Sequence, residues 1–228
     1  MKKHLKRPMI PKSWPVERRG TVFVSKPNPG PHSLKLGLPI MIFIKDMLGM
    51  AKSAREVKNI LNENEVLVDG VRRKDINFPV GIMDVIEIKK TDEYFRIILN
   101  KEKIGYIRID KSESSIKPCK INEKTNFKGK IQLNLYDGKN ILVDKDDYKT
   151  GDTVVISLPK QEIKEHLRLE KGCNIYLIGG KHSGDLGTVE DIISKKITYK
   201  TQKGEIIETL KRYVFVVGKD KPVVSLMK

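Results

Sequence analysis

The stretch of sequence that decides the fold runs from residue 53 to residue 70 and reads SAREVKNILNENEVLVDG. Ser53, with Glu56 three residues later, forms a capping box, so we predict that a helix begins here. One arc of that helix is apolar and consists of Ala54, Val57, Ile60 and Leu61. The Val-Leu-Val run at 66–68 then predicts a strand, and the Asp-Gly pair that ends at Gly70 predicts a tight hairpin turn. The stretch therefore indicates a small unit in which a helix packs against a hairpin.

Basic residues cluster on this unit. A neighbouring arc of the helix, at i, i+3 and i+6 spacing, carries Lys52, Arg55 and Lys58. A second basic cluster follows the turn and consists of Arg72, Arg73 and Lys74. Two such clusters that converge on one surface can hold an RNA backbone and recognise its shape. The alternative is a solvated basic helix face, which is common in proteins.

The segment before this unit, residues 1–37, is rich in proline and basic residues. Proline interrupts both helices and strand ladders, so we predict an extended basic arm without a core of its own. The arm either becomes ordered on RNA or is a solvated, disordered terminus. Its predicted RNA-contacting residues are Lys2, Lys3, His4, Lys6, Arg7, Lys12, Trp14, Arg18, Arg19, His32 and Lys35.

Short strand-like runs fill the rest of the chain. Residues 38–92 contain the helix-hairpin unit, with a first helix predicted from Pro39. Residues 93–170 predict a central β-rich domain, and residues 171–228 predict a small barrel closed by glycine-rich turns. The fold class expected is α+β, mostly β and multidomain, with boundaries at 1–37, 38–92, 93–170 and 171–228.

A glycine-rich stretch at 179–189 lies in the last of these domains. It does not fit a phosphate-binding P-loop, because Ile175 replaces the first glycine and His182 replaces the Ser or Thr after the lysine. An ordinary hairpin turn is one interpretation, and a loop that contacts RNA is the other. The second interpretation assigns Lys181 and His182 to RNA contact. Structural turn roles are predicted for Gly180, Gly184 and Gly187 in this stretch, and for Gly70 in the hairpin turn described above.

Composition excludes several classes of protein. The formal net charge is +16 over 228 residues, which predicts a polyanionic partner. Cys119 and Cys173 show no metal-ligand spacing with each other or with the four scattered histidines, so we predict neither a metal site nor a cofactor. No catalytic constellation is present, and the apolar run at 38–44 is too short to cross a bilayer. We therefore predict a cytoplasmic protein that is not an enzyme and has no membrane partner.

Three segments of the helix-hairpin unit, at 54–61, 66–70 and 80–86, resemble the αL RNA-binding domain. That domain usually has Gly-Asp before its last strand, whereas this chain has Met83 and Asp84. The stretch at 179–189 resembles a KOW motif, which implies an SH3-like β-barrel at the C-terminus.

The order of motifs resembles, over essentially the full length, the small-subunit ribosomal protein four-e family of archaea and eukaryotes. The segments that carry this resemblance are 2–7, 11–14, 30–34, 38–39, 68–75, 79–86, 90–96, 151–154 and 179–187. The chain ends at Lys228 without the longer tail of eukaryotic members, so an archaeal member is expected.

The resemblance implies a structural constituent of the small ribosomal subunit that supports its assembly and translation. The implied partners are the ribosomal RNA of that subunit and neighbouring ribosomal proteins, and no homo-oligomer is expected. Two alternatives remain open: a KOW-type transcription or translation factor, and an accessory part of an RNA-modifying enzyme.

Overall fold

The structure is a computed structural model that describes residues 4–63, 65–219 and 221–226. The predicted RNA contacts Lys2 and Lys3 lie outside the described residues. The chain divides into two compact units, one of Met1–Ile98 with Lys103–Ser114 and one of Leu99–Glu102 with Ser115–Lys228. Most of the regular structure is β-strand, in agreement with the predicted class.

The first unit contains short strands and helices. In chain order they are β1 (Leu5–Lys6), β2 (Phe23–Val24), β3 (Gly37–Pro39), α1 (Ile40–Ile42), which continues as a π-helical turn at Phe43–Met47, α2 (Ala54–Glu63), β4 (Val66–Val68), β5 (Val71–Arg72), β6 (Pro79–Gly81), β7 (Val85–Ile88), β8 (Glu93–Asn100), β9 (Lys103–Arg108) and α3 (Lys111–Ser114).

The main sheet of this unit has the strand order β5-β4-β7-β8-β9. Of the predicted apolar arc of helix α2, Val57 and Leu61 are completely buried, Ile60 is half-buried and Ala54 is exposed. Between β4 and β5, Asp69 and Gly70 have φ angles of +52° and +75°. Two successive left-handed residues are the geometry of a type I′ hairpin turn, so the predicted tight turn is confirmed.

The turn before β7 accommodates Met83 where the αL domain usually has glycine. Met83 has a φ of +69°, which is unusual for a residue with a side chain, and that side chain is fully buried. Its N–H donates to the carbonyl of Ile97 at 2.8 Å, and the N–H of Ile97 donates to the carbonyl of Asp84 at 3.0 Å. This pairing and the burial of the thioether hold the left-handed conformation without glycine.

The arm forms more structure than the sequence analysis predicts. Strands β1 and β2 pair antiparallel, and Leu5, Ile10 and Trp14 are buried. The carbonyl of Ser13 accepts the N–H of Ile104 at 2.7 Å, which joins the arm to β9. The expectation that residues 1–37 build no core is therefore wrong for the described part of the arm, because its few apolar side chains pack within the first unit.

The second unit consists of two antiparallel five-stranded sheets. Their strands are β10 (Ile116–Phe127), β11 (Lys130–Leu135), β12 (Asn140–Val143), β13 (Thr153–Ser157), β14 (Ile163–Leu167), β15 (Asn174–Leu177), β16 (Leu186–Ile193), β17 (Lys196–Thr201), β18 (Ile206–Leu210) and β19 (Val214–Gly218).

The two sheets have the orders β12-β11-β10-β13-β14 and β18-β17-β16-β15-β19. Cys119 and Leu133 belong to the core of the first sheet, and Ile175 and Tyr199 belong to the core of the second. Val155 on β13 joins the second core, so alternate faces of the first sheet serve both cores. The second sheet corresponds to the small barrel that the KOW resemblance implies.

Candidate nucleic-acid interface

The basic arc of α2 lies on the surface of the first unit. Arg55 and Lys58 on α2 are exposed, as is Lys52, which the sequence analysis placed on the helix but which lies two residues before its start, while the opposite side of the helix is buried. The structure thus brings these three predicted residues together, with the positive charges directed to solvent. Such an arrangement can bind phosphate groups by charge without reading bases.

The one acidic residue in the first turn of α2, Glu56, forms the hydrogen bonds of the helix cap. The carboxylate of Glu56 accepts the N–H of Lys52 at 2.8 Å and the hydroxyl of Ser53 at 3.0 Å, and the Glu56 N–H donates back to Ser53 at 3.3 Å. The backbone hydrogen bond from Lys52 is the main reason that the pKa of Glu56 lies below its usual value. The capping box is therefore confirmed.

The second basic cluster lies at the other end of α2. Arg72 donates to the carbonyl of Asn62, in the last turn of the helix, at 2.8 Å. The guanidinium of Arg73 lies over the ring of Phe78, 4.2 Å from its centroid, and Lys74 is exposed. The helix therefore carries basic groups at both ends, but Arg72 and Arg73 are partly occupied by contacts within the protein.

Three predicted RNA contacts in the arm have structural partners instead. The buried Trp14 donates its indole N–H to the carbonyls of Leu34 at 3.0 Å and Gly37 at 2.9 Å. The side chain of His32 is 2% exposed and lies 2.8 Å from the carboxylate of Asp84. Because neither ring reaches the surface, their assignment to RNA contact is corrected to an internal role.

Arg7 is the third. Its guanidinium donates to the carbonyl of Thr21 at 3.0 Å and to that of Glu17 at 2.5 Å, so it organises the loop between β1 and β2. The arm residues that remain exposed are His4, Lys6, Lys12, Arg18, Arg19 and Lys35.

The glycine-rich loop at 179–189 belongs to the second unit and connects β15 to β16. Lys181 is exposed, and Nδ1 of His182 lies 3.5 Å from the carboxylate of Asp185. Gly180 and Gly184 have φ angles of +87° and +92°. A Cβ atom on Gly187 would lie 2.5 Å from the carbonyl oxygen of Lys200, which leaves no space for a side chain. The structural roles predicted for these glycines agree with this geometry.

Neither a metal-ligand cluster nor a membrane-spanning helix is found among the residues that the structure describes. No group of three or more His, Cys, Asp or Glu side chains there is placed to hold a metal ion. No helix in those ranges has both the length and the apolar composition needed to cross a membrane. Cys119 and Cys173 are both buried free thiols, and burial raises the pKa of the Cys173 thiol.

These features define a class of protein. A mostly β, multidomain chain carries a two-helix unit on a small sheet, with a basic helix face and a hairpin turn beside it. That arrangement is the S4-domain class, and the sequence profile of the S4 domain matches residues 39–86. Two further profiles match: the RS4NT domain over residues 1–35 and the ribosomal family S4e over residues 91–163.

The chain belongs to the ribosomal family S4e. It is 41% identical to small ribosomal subunit protein eS4 of Methanococcus aeolicus, over 99% of this chain and 98% of the relative. It is 43% identical to the eS4 protein of Methanosphaera stadtmanae, over 99% of this chain and 96% of the relative. The crystal structure of 30S ribosomal protein S4e from Thermoplasma acidophilum matches with a TM-score of 0.71 and 30% identity, covering 81% of this chain and 96% of that one.

The family membership confirms the resemblance that the sequence motifs indicate. It also agrees with the prediction that the chain is not an enzyme, since the relatives are named as constituents of the ribosome.

Proposed function

We propose that this protein is a structural constituent of the small ribosomal subunit that binds ribosomal RNA through phosphate contacts distributed over its surface. The observation that carries the proposal is the exposed basic arc of α2, Lys52, Arg55 and Lys58, inside a domain of the S4 class. Glu56, the acid in the first turn of that helix, is held in the cap by hydrogen bonds from Lys52 and Ser53, so the three cations outnumber the one nearby carboxylate.

Distributed phosphate binding has a quantitative signature. Each phosphate neutralised by a lysine or arginine releases condensed counterions, so affinity falls steeply as salt rises. With roughly six to ten contacts, binding should weaken about 10³- to 10⁵-fold between 50 and 200 mM salt. The exposed arm residues and the loop around Lys181 supply further candidates for these contacts beyond α2.

The proposal extends to partners and location. The protein is cytoplasmic and resides in the ribosome, where its remaining surface contacts neighbouring ribosomal proteins. It acts as a single copy. We expect the described part of the arm and the two sheets to be folded before RNA binds, which limits the ordering that assembly requires.

The test compares two variants that remove the same amount of charge. One is Lys52→Gln/Arg55→Gln/Lys58→Gln, and the control is Lys160→Gln/Lys164→Gln/Lys203→Gln, which changes three exposed lysines of the second unit. Binding to small-subunit ribosomal RNA is measured from 50 to 300 mM salt. The α2 variant should reduce the slope of log affinity against log salt by about 3, and the control by much less.

Equal slopes for both variants would contradict the assignment of α2.

A second experiment addresses the alternatives. A structural constituent should stay on small subunits after a high-salt wash in a sucrose gradient, whereas release into the soluble fraction would favour a transient KOW-type factor.

A further inference from the structure

A buried lysine in the second unit holds the connection between β18 and β19. Lys120, on β10, is 5% exposed, and its ammonium donates to three backbone carbonyls. The acceptors are Val214 at 2.7 Å, Arg212 at 2.9 Å and Lys211 at 3.2 Å. An ammonium has three N–H groups, so all of its donors are used. Lys120 therefore fixes the backbone of the turn at Lys211–Tyr213.

That turn forms one wall of a pocket of about 590 Å³. Besides Lys120, three basic residues line the pocket, namely Lys195, Lys211 and Arg212. Thr150 and Gly151 from the loop before β13 line it as well, and the single acidic side chain among its lining residues is Glu123. A Cβ atom on Gly151 would lie 2.9 Å from Cε of Lys211, so glycine at this position makes room for that lysine.

The charges of the pocket are not balanced within the protein. Among the described residues, Lys195, Lys211 and Arg212 make no ion pair with a carboxylate. Burial, and secondarily the charge of Lys211, lowers the pKa of Lys120 to about 8. The second of these causes reflects repulsion between two cations at the pocket. A bound anion would relieve such repulsion.

Arg212 is held in a defined orientation. Its guanidinium lies over the ring of Tyr213, 4.7 Å from the centroid, and donates to the Tyr213 hydroxyl at 2.6 Å. An arginine oriented in this way loses little side-chain freedom when it binds, and its remaining N–H groups suit the paired oxygens of a phosphate.

We propose that this pocket binds a phosphate of the ribosomal RNA backbone, held by Lys195, Lys211 and Arg212. The inference rests on the proposed function and deepens it, because it assigns to the second unit an RNA contact that lies outside the loop at 179–189 and that no sequence motif indicated. The pocket is a set of donors around an open cavity, so it recognises the phosphate group and not the identity of a base.

The first test is the salt dependence of RNA binding for Lys195→Gln/Lys211→Gln. Because Lys195, Lys211 and Arg212 hold a single phosphate, removing two of these three cations should lower the slope of log affinity against log salt by about 1. The matched control is Lys160→Gln/Lys164→Gln, which removes the same charge from β14 and the residues just before it. Lys120 is unchanged in both variants, so the turn keeps its anchor.

The second test uses the unchanged protein and therefore does not depend on the folding of a variant. Lysines are acetylated with a water-soluble reagent, with and without RNA, and their modification is read by mass spectrometry. RNA should reduce the modification of Lys195 and Lys211 several-fold and leave that of Lys160 and Lys164 unchanged. Inorganic phosphate at millimolar concentration is the parallel probe.

The outcomes separate the two proposals. Full reactivity of Lys195 and Lys211 in an RNA complex that still depends on the α2 arc would overturn the pocket assignment and leave the proposed function intact. Protection of Lys195 and Lys211 by inorganic phosphate but not by RNA would make the pocket a site for free phosphate, which also overturns the pocket assignment. RNA binding by the unchanged protein that does not depend on salt would overturn both proposals.

Discussion

Nε2 of His32 lies 2.8 Å from Oδ2 of Asp84, and each side chain is 2% exposed. The same carboxylate oxygen accepts the N–H of Gly81 at 2.9 Å. The imidazole packs so tightly on Gly81 that any Cβ atom there would overlap the ring. One contact thus joins the basic arm to the turn that precedes β7.

This contact predicts a large effect of His32→Ala on stability. The substitution removes a hydrogen-bond partner from a buried carboxylate and leaves a cavity, so the free energy of unfolding should fall by about 3 kcal/mol. Urea unfolding followed by the fluorescence of Trp14, in the same unit, measures the change. His4→Ala is the control, because His4 is exposed, and it should change stability by less than about 1 kcal/mol. An equal decrease in the free energy of unfolding for both variants would show that the buried His32–Asp84 pair does not stabilise the fold.

Trp14 allows the structure of the arm to be tested without any substitution. It is the single tryptophan of the chain and is 2% exposed. We therefore expect blue-shifted emission and weak acrylamide quenching in the free protein, and a red shift on unfolding. Addition of ribosomal RNA should leave the emission nearly unchanged, because a buried indole cannot stack on a base. Strong quenching by RNA, or red-shifted emission before any RNA is added, would contradict the buried position of Trp14. It would favour the earlier interpretation, in which the arm is disordered and contacts RNA.

The local features of this fold were predictable, because their signals are short in sequence. The capping box at Ser53 and Glu56 and the turn at Gly70 each follow from a few adjacent residues. The basic arc of α2 was predictable for the same reason, since helical spacing alone places it on one side.

Long-range partners of buried polar groups were not predictable. His32 and Asp84 are 52 residues apart, and Lys120 is 91 to 94 residues from the carbonyls that it binds. No periodicity indicates such pairs, so His32 was assigned to RNA and Lys120 was not singled out. Proline content also misled the prediction for the arm, because Trp14 supplies enough buried surface to hold it in place.

Two glycines with left-handed backbones should respond differently to alanine. Gly184 has a φ of +92°, and a Cβ atom there would lie 2.6 Å from the carbonyl oxygen of Leu99. Gly204 has a φ of +87° with nothing within 4 Å of the same position. Gly204→Ala should therefore reduce stability by about 1 kcal/mol, from backbone strain alone. Gly184→Ala adds a steric clash and should reduce it by about 3 kcal/mol, as measured by urea unfolding with circular dichroism. Similar losses would mean that the loop at 179–189 shifts to accept a side chain.

Lys120 gives the second unit a distinctive dependence on pH. Its pKa in the folded protein is about 8, because of burial and the nearby charge of Lys211, whereas an exposed lysine has a pKa near 10.5. Between these values the unfolded chain binds one more proton than the folded chain, so raising the pH stabilises the fold. The penalty for burying the charged form is fully present below pH 8 and is relieved as the pH rises to 10.5.

The measurement is the difference in unfolding free energy between the unchanged protein and Lys120→Met, followed by circular dichroism from pH 7 to pH 10.5. The other charged groups that line the pocket, Glu123, Lys195, Lys211 and Arg212, are common to both proteins, so their titration largely cancels in the difference. The free energy of unfolding of the unchanged protein, measured relative to that of Lys120→Met, should rise with pH at a slope approaching about 1.4 kcal/mol per pH unit. Parallel curves would contradict this expectation. They would mean that the three carbonyls offset the loss of hydration and keep Lys120 charged throughout, in which case Lys211 meets a permanent positive charge beside it.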